Sequence, residues 1–285
     1  MIRLAASSMF FHEYEPPVIF DAVEKSGADT IEFWMETPTF WMRGANVSEL
    51  REQLRLHPKF AKIAMHAPVF ELNPCSFNPK VAELTAEYTI ACMDILEELG
   101  GGILTIHPGK RTAKRPLSPI DKERFTIYMN KVGNADIGKS VLVSLENMPP
   151  AVNAHMVVAK ELRAVLDEYA WLSFTWDYAH ACLGGDPFSF TRECGDRIVN
   201  IHTSKGDPAC MHSPLAGTPE AAKLKAVLAE IGYNGLMTFE LEDLSFDPNH
   251  MAGPEKSSCV HFLSYEDKVA ALSREVAEFS SRRCI

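Results

Sequence analysis

Paired cysteines, long apolar runs and excess positive charge are all missing from this sequence. Its seven cysteines are an odd number and no two form a CxxC pair, which points to reduced thiols in a cytoplasm. No apolar run approaches the length that spans a bilayer, so no membrane partner is expected. The amino-terminal Met1-Ile-Arg-Leu-Ala-Ala-Ser-Ser lacks the longer apolar stretch of a signal peptide and reads as a first strand. A net charge of −10 disfavours a general nucleic-acid coat, because phosphate binding relies on clustered Lys and Arg. Linkers, low-complexity tracts and sequence repeats are absent too, so a single domain over residues 1–285 is expected.

What is present is an alternation of strand-like and helix-like segments. Strands are expected over residues 2–7, 30–34, 62–66, 103–107, 141–146, 172–177, 198–202 and 236–241. Helices are expected over 16–26, 47–56, 79–99, 119–132, 155–169, 187–193 and 219–231, with 265–280 closing the chain. Gly100-Gly101-Gly102 is a strong stop for the longest of these. The strands are continuous apolar runs, the pattern of a parallel sheet covered by helices. A doubly wound sheet would want a glycine-rich turn after its first strand, and here that turn reads Ser7-Ser8-Met9-Phe10-Phe11. The expected fold is therefore α/β, a single (β/α)8 TIM barrel.

Six of the strand-like runs end in a histidine or carboxylate: His66, His107, Glu146, Asp177, His202 and Glu240. All strand C-termini of such a barrel open onto one face, so these side chains can converge there. Any one histidine at the end of an apolar run is more often a hydrogen-bonded core residue than a ligand. Six such endings together are hard to explain by packing, because buried charges must be paired or coordinated. Glu146, Asp177, His202 and Glu240 form the firmest subset, suited to Mn2+, Mg2+, Co2+ or Zn2+. His180 follows Asp177 by three residues, and His212 lies in the loop after strand seven. Glu32, inside strand two, points into the barrel or forms an ion pair among interior polar residues.

Lys110, Arg111, Lys114 and Arg115 form one basic cluster, just after His107 and hence on the active face. Aromatic residues crowd the loops after the first three strands, among them Phe10, Phe11, Tyr14, Phe40, Trp41, Phe70 and Phe77. Aromatic faces suit sugar rings and flipped nucleotides alike. Residues 243–264 make a long segment with no strong pattern, a candidate lid or homo-oligomer contact.

HAP at His66, HPG at His107, LEN at Glu146, WDYAH from Trp176 to His180, the IH ending at His202 and FELE around Glu240 resemble the xylose isomerase-like barrel superfamily. It contains sugar isomerases and epimerases and the endonuclease IV type of abasic-site nuclease. The isomerase resemblance implies one divalent cation held by Glu146, Asp177, His202 and Glu240. Glu146 and Glu240 would also be acid and base on a sugar or sugar phosphate. His180, His66 and His107 would contact this small-molecule substrate with Lys205 nearby, and Lys110 and Arg111 of the basic cluster are expected to meet a phosphate if the substrate carries one. An arginine usual after the histidine matching His202 is absent, leaving Lys205 as the nearby cation.

The nuclease resemblance implies nucleic acid as partner and further metals. His66, His107 and Glu146 would hold one, and His180, His212 and the residue two before it another. That last residue is Cys210 where an aspartate is usual.

Overall fold

The computed structural model describes residues 1–60, 62–111, 117–208, 211–243 and 263–280. Among them, eight parallel strands close into a barrel in chain order. They are β1 (Arg3–Ser7), β2 (Thr30–Trp34), β3 (Ala64–His66), β4 (Gly102–Ile106), β5 (Val141–Glu146), β6 (Ser173–Asp177), β7 (Ile198–Thr203) and β8 (Leu236–Phe239). Each pairs with the next, and β8 pairs with β1, so the sheet has no free edge. Helices surround it, as the alternation predicts, and the architecture is a (β/α)8 TIM barrel. Among the described residues, no helix is long and apolar enough to cross a membrane.

Proline sets where several helices begin. Pro16, Pro38, Pro79, Pro119 and Pro219 all sit in the first turn of their helices, where the missing N–H costs nothing. The boundaries differ from expectation mainly at strand ends. β4 stops at Ile106 and β8 at Phe239, so His107 and Glu240 stand just past the last paired residue. The helix expected from residue 155 begins at Ala159, because the chain turns through Met156 at φ +56°. A short helix not anticipated, Tyr178–Leu183, follows β6 directly, with Asp177 as its cap.

Strand residues alternate between two environments. Outward-facing Ile31, Phe33, Met65, Leu104, Leu145, Trp176, Ile201 and Phe239 join the main apolar core beneath the helices. The inward faces are layered. Ala5, Ala64 and Leu236 form a small apolar floor. Above it lies a buried polar layer of Glu32, Thr105, Ser144, Thr175, Asn200 and Thr238. Thr105 and Thr175 hydroxyls are 3.2 Å apart, Thr175 donates to Ser144 at 2.7 Å, and Asn200 and Thr238 donate to Glu32 at 2.7 and 2.9 Å. These bonds satisfy groups whose burial would otherwise cost about 1–3 kcal/mol each.

The closing helix, Tyr265–Ser280, packs on the helix Pro16–Ser26 and on β1. Its Lys268 is fully buried, ion-paired with Glu13 and 3.1 Å from Asp243. Its Glu275 accepts the backbone N–H groups of Leu215 and Ala216 at 3.0 and 2.9 Å. One helix therefore ties together the loops that follow β1, β7 and β8.

Candidate metal centre

The layer above the polar one is where the six strand endings meet. Glu146, Asp177, His202 and Glu240 arrive from the ends of β5, β6, β7 and β8, each buried, with ligand atoms within 4.8 Å of one another. The Nδ1 of His202 lies 2.9 Å from Glu240 Oε2, 3.7 Å from Glu146 Oε2 and 3.9 Å from Asp177 Oδ2. Even the closest of these approaches lacks hydrogen-bond geometry. Asp177 Oδ2, His202 Nδ1 and Glu240 Oε2 are all buried without a hydrogen-bond partner. Such groups must be compensated, and three carboxylates with one imidazole can chelate a divalent cation.

Two more clusters adjoin this one. His66 and His107 approach Glu146 Oε2 through their Nε2 atoms at 3.4 and 3.1 Å. Asp177, His180 and His212 form the third group, again with ligand atoms within 4.8 Å. Backbone carbonyls orient two of these rings. His66 Nδ1–H donates to Ala67 O at 2.8 Å and His180 Nδ1–H to Asn147 O at 3.0 Å. A carbonyl only accepts, so Nδ1 carries a proton in each, and Nε2 is the nitrogen that a cation could take in its place.

Local structure holds the remaining members. Asn147 clamps β6 by donating to Asp177 O at 2.9 Å and accepting Asp177 N–H at 2.8 Å. Asp177 Oδ1 accepts His180 N–H at 2.6 Å, the usual cap bond at a helix start. Gly206 lets the loop after β7 lie against that helix, since a Cβ there would stand 2.2 Å from Ala179 O. The same loop returns His212 in a left-handed conformation, φ +61°, with Nδ1 3.0 Å from Ser204 Oγ.

Burial and mutual attraction compete throughout the centre. Burial opposes ionisation of Glu146, yet His107 and His202 hold its carboxyl well below the usual range. Glu240 is lowered in the same way, against burial, chiefly by His202. Asp177 is pushed up to about 8 by burial, with Glu146 and Glu240 adding to it. Burial works downward on His180, but Asp177 and Glu146 outweigh it and raise it to about 9. Asp177 and His180, 3.5 Å apart, therefore titrate as a pair and not as independent groups. His212 is brought down to about 4 by burial, which leaves its ring neutral and able to ligate at neutral pH.

The cavity above the centre has a volume of about 430 Å3, with Met9, Trp34, Phe70 and Met148 lining it beside His107, His180 and His212. Lys110 lines it as well. Arg111 turns elsewhere: its guanidinium donates to Val152 O at 2.6 Å and Ala154 O at 3.2 Å, joining the loops after β4 and β5. Among the described residues, neither Arg111 nor Lys205 lines this cavity. Lys205 instead pairs its backbone with Ser213 at the base of the His212 turn. Of the loop aromatics, Phe10, Phe11 and Phe40 are fully buried core, whereas Phe70 reaches the cavity. Trp34, which sequence reasoning passed over, stacks on His66 at 3.9 Å between ring centroids. Asn147 was missed too; its signal was its place directly after Glu146. Cys210, Lys114, Arg115 and most of the 243–264 segment lie outside the described residues.

The family model for the xylose isomerase-like TIM barrel matches residues 20–258 of the chain. An uncharacterized protein of Methanocaldococcus jannaschii is 30% identical over 259 residues, covering 90% of this chain and 94% of the relative. A probable endonuclease 4 of Akkermansia muciniphila is 32% identical over 90 residues, covering 29% of this chain and 31% of that protein. Among solved structures, a D-allulose 3-epimerase from Methylomonas sp. superposes with a TM-score of 0.77 at 18% identity, covering 98% of this chain and 97% of that one. At that identity the likeness speaks for the fold alone.

Proposed function

Because the chain belongs to the xylose isomerase-like TIM barrel family, we propose that it is a divalent-metal-dependent isomerase or epimerase of a sugar or sugar phosphate. The observation that carries this reading is the convergence of Glu146, Asp177, His202 and Glu240 with three buried ligand atoms that no hydrogen bond satisfies. These four residues would hold the cation, Mn2+, Co2+, Zn2+ or Mg2+. When bound, such an ion polarises substrate oxygens and makes the neighbouring C–H more acidic. Glu146 and Glu240 reach the mouth from β5 and from just past β8, three strands apart around the ring. One can therefore take the proton at the substrate α-carbon while the other returns it on the opposite side. His107 and His180 line the cavity, His66 lies buried behind Trp34, and Trp34 and Phe70 offer apolar faces to a sugar ring. Lys110, which lines the cavity, would meet an anionic group of the substrate.

The test is deuterium incorporation into a panel of ketoses and ketose phosphates incubated with the Mn2+-loaded protein in D2O. Exchange at the α-carbon is expected, falling at least about 100-fold in Glu240→Gln, the scale of one general acid or base. If no member of the panel gains deuterium, the sugar reading fails.

A second reading has its own observation, the two adjoining clusters His66–His107–Glu146 and Asp177–His180–His212. Several cations side by side suit a Zn-dependent phosphodiesterase like endonuclease IV, acting on abasic-site DNA. Elemental analysis separates the two: one cation per chain fits the isomerase. Two or three Zn2+, with incision of an abasic-site duplex, fit the nuclease.

A further inference from the structure

Glu32 stands one layer below the metal centre, fully buried in the middle of β2. Nothing in the reaction described above uses it. Its Oε1 lies 2.9 Å from His202 Nε2, while Oε2 accepts from Asn200 Nδ2 at 2.7 Å and Thr238 Oγ1 at 2.9 Å. Burying a carboxylate this completely is poor value for stability alone, since apolar side chains of similar size often serve as well or better.

We propose that Glu32 is a positioning residue that fixes the tautomer of His202, and so decides which ring nitrogen is offered to a cation. The inference rests on the reading that Glu146, Asp177, His202 and Glu240 bind one. An ionised carboxylate only accepts, so the nitrogen facing it, Nε2, must carry a proton. Nδ1, turned toward Glu146, Asp177 and Glu240, then keeps its lone pair for the ion. This is the carboxylate–histidine arrangement that orients ligands from behind.

The neighbours of Glu32 dictate how an isosteric amide would sit in its place. Asn200 already donates to the Oε2 side, so in Glu32→Gln the new NH2 is driven to the Oε1 side. There it meets His202 Nε2 as a donor. That nitrogen must now accept, and the ring proton moves to Nδ1, where it blocks the ligand position. A substitution that keeps shape and volume should therefore weaken binding without disturbing the barrel.

The experiment is long-range 1H–15N NMR of histidine-labelled protein loaded with Zn2+, together with Zn2+ titration of wild type and Glu32→Gln. In wild type, His202 is expected to show a protonated Nε2 and a Zn2+-bound Nδ1. In Glu32→Gln the Zn2+ affinity should fall about 10–100-fold, the usual effect of losing such a partner. Ligation of wild-type His202 through Nε2 overturns the proposal without any variant. So does a Glu32→Gln protein that binds Zn2+ as tightly as wild type; in both cases the cation reading survives. If wild type takes up no Zn2+, the cation reading and this inference fall together.

Discussion

Asn147 shows how much of the centre depends on side chains that are not themselves ligands. Its amide holds both backbone polar groups of Asp177, and its own carbonyl takes the Nδ1 proton of His180. Asn147→Ala keeps the carbonyl but leaves Asp177 N–H and C=O without their partners inside the barrel. We expect a loss of about 2 kcal/mol in urea unfolding, with weaker Zn2+ binding measured by titration. The ligands were legible because each ends an apolar run, where a charge has no packing reason to be. Their supports were harder to read. Asn147 and Trp34 are ordinary in a strand or the turn after it, and only the fold reveals that one clamps Asp177 and the other stacks on His66.

At the scale of elements, the strands were readable to within two residues at either end, because a parallel strand buried on both sides is apolar throughout. What that continuity hid was the polar middle layer. Thr105, Ser144, Thr175, Asn200 and Thr238 each sit two residues before the member of the metal centre on their own strand. The two-residue period was therefore present, masked by apolar neighbours facing the helices. The helix Tyr178–Leu183 was hidden for another reason: its cap, Asp177, looks only like a strand ending. The closing helix carries a cost that its amphipathic pattern does not display, the burial of Lys268. Lys268→Met leaves Asp243 buried without its cation, so we expect a loss of about 3 kcal/mol. Thermal or urea unfolding measures it, and an unchanged midpoint would mean that Lys268 is not what holds the loops.

For the molecule as a whole, a cation shared by four strands acts on the stability of the entire barrel. Binding to the folded chain alone stabilises by about 2.7 kcal/mol at a hundredfold excess over Kd, on the order of 5 °C in Tm for a chain of this size. Chelation should lower Tm by that amount and Mn2+ or Zn2+ should restore it. The gain should keep growing as pH rises past neutrality, because His202 must be neutral to bind, and against the downward pull of burial Glu240, Glu32 and Glu146 hold its titration well above the ordinary imidazole value. A Tm indifferent to chelator and metal would count against a bound cation. The layered interior has one more consequence, for how such a chain can change over generations. The outward residues of each strand can be exchanged one at a time while volume is kept. The inward layer is a continuous hydrogen-bonded chain from Ser144 through Thr175, Thr105 and Asn200 to Glu32 and Thr238. One altered member strands the next, so substitutions there must arrive in pairs, and the two faces of the same strand drift at different speeds.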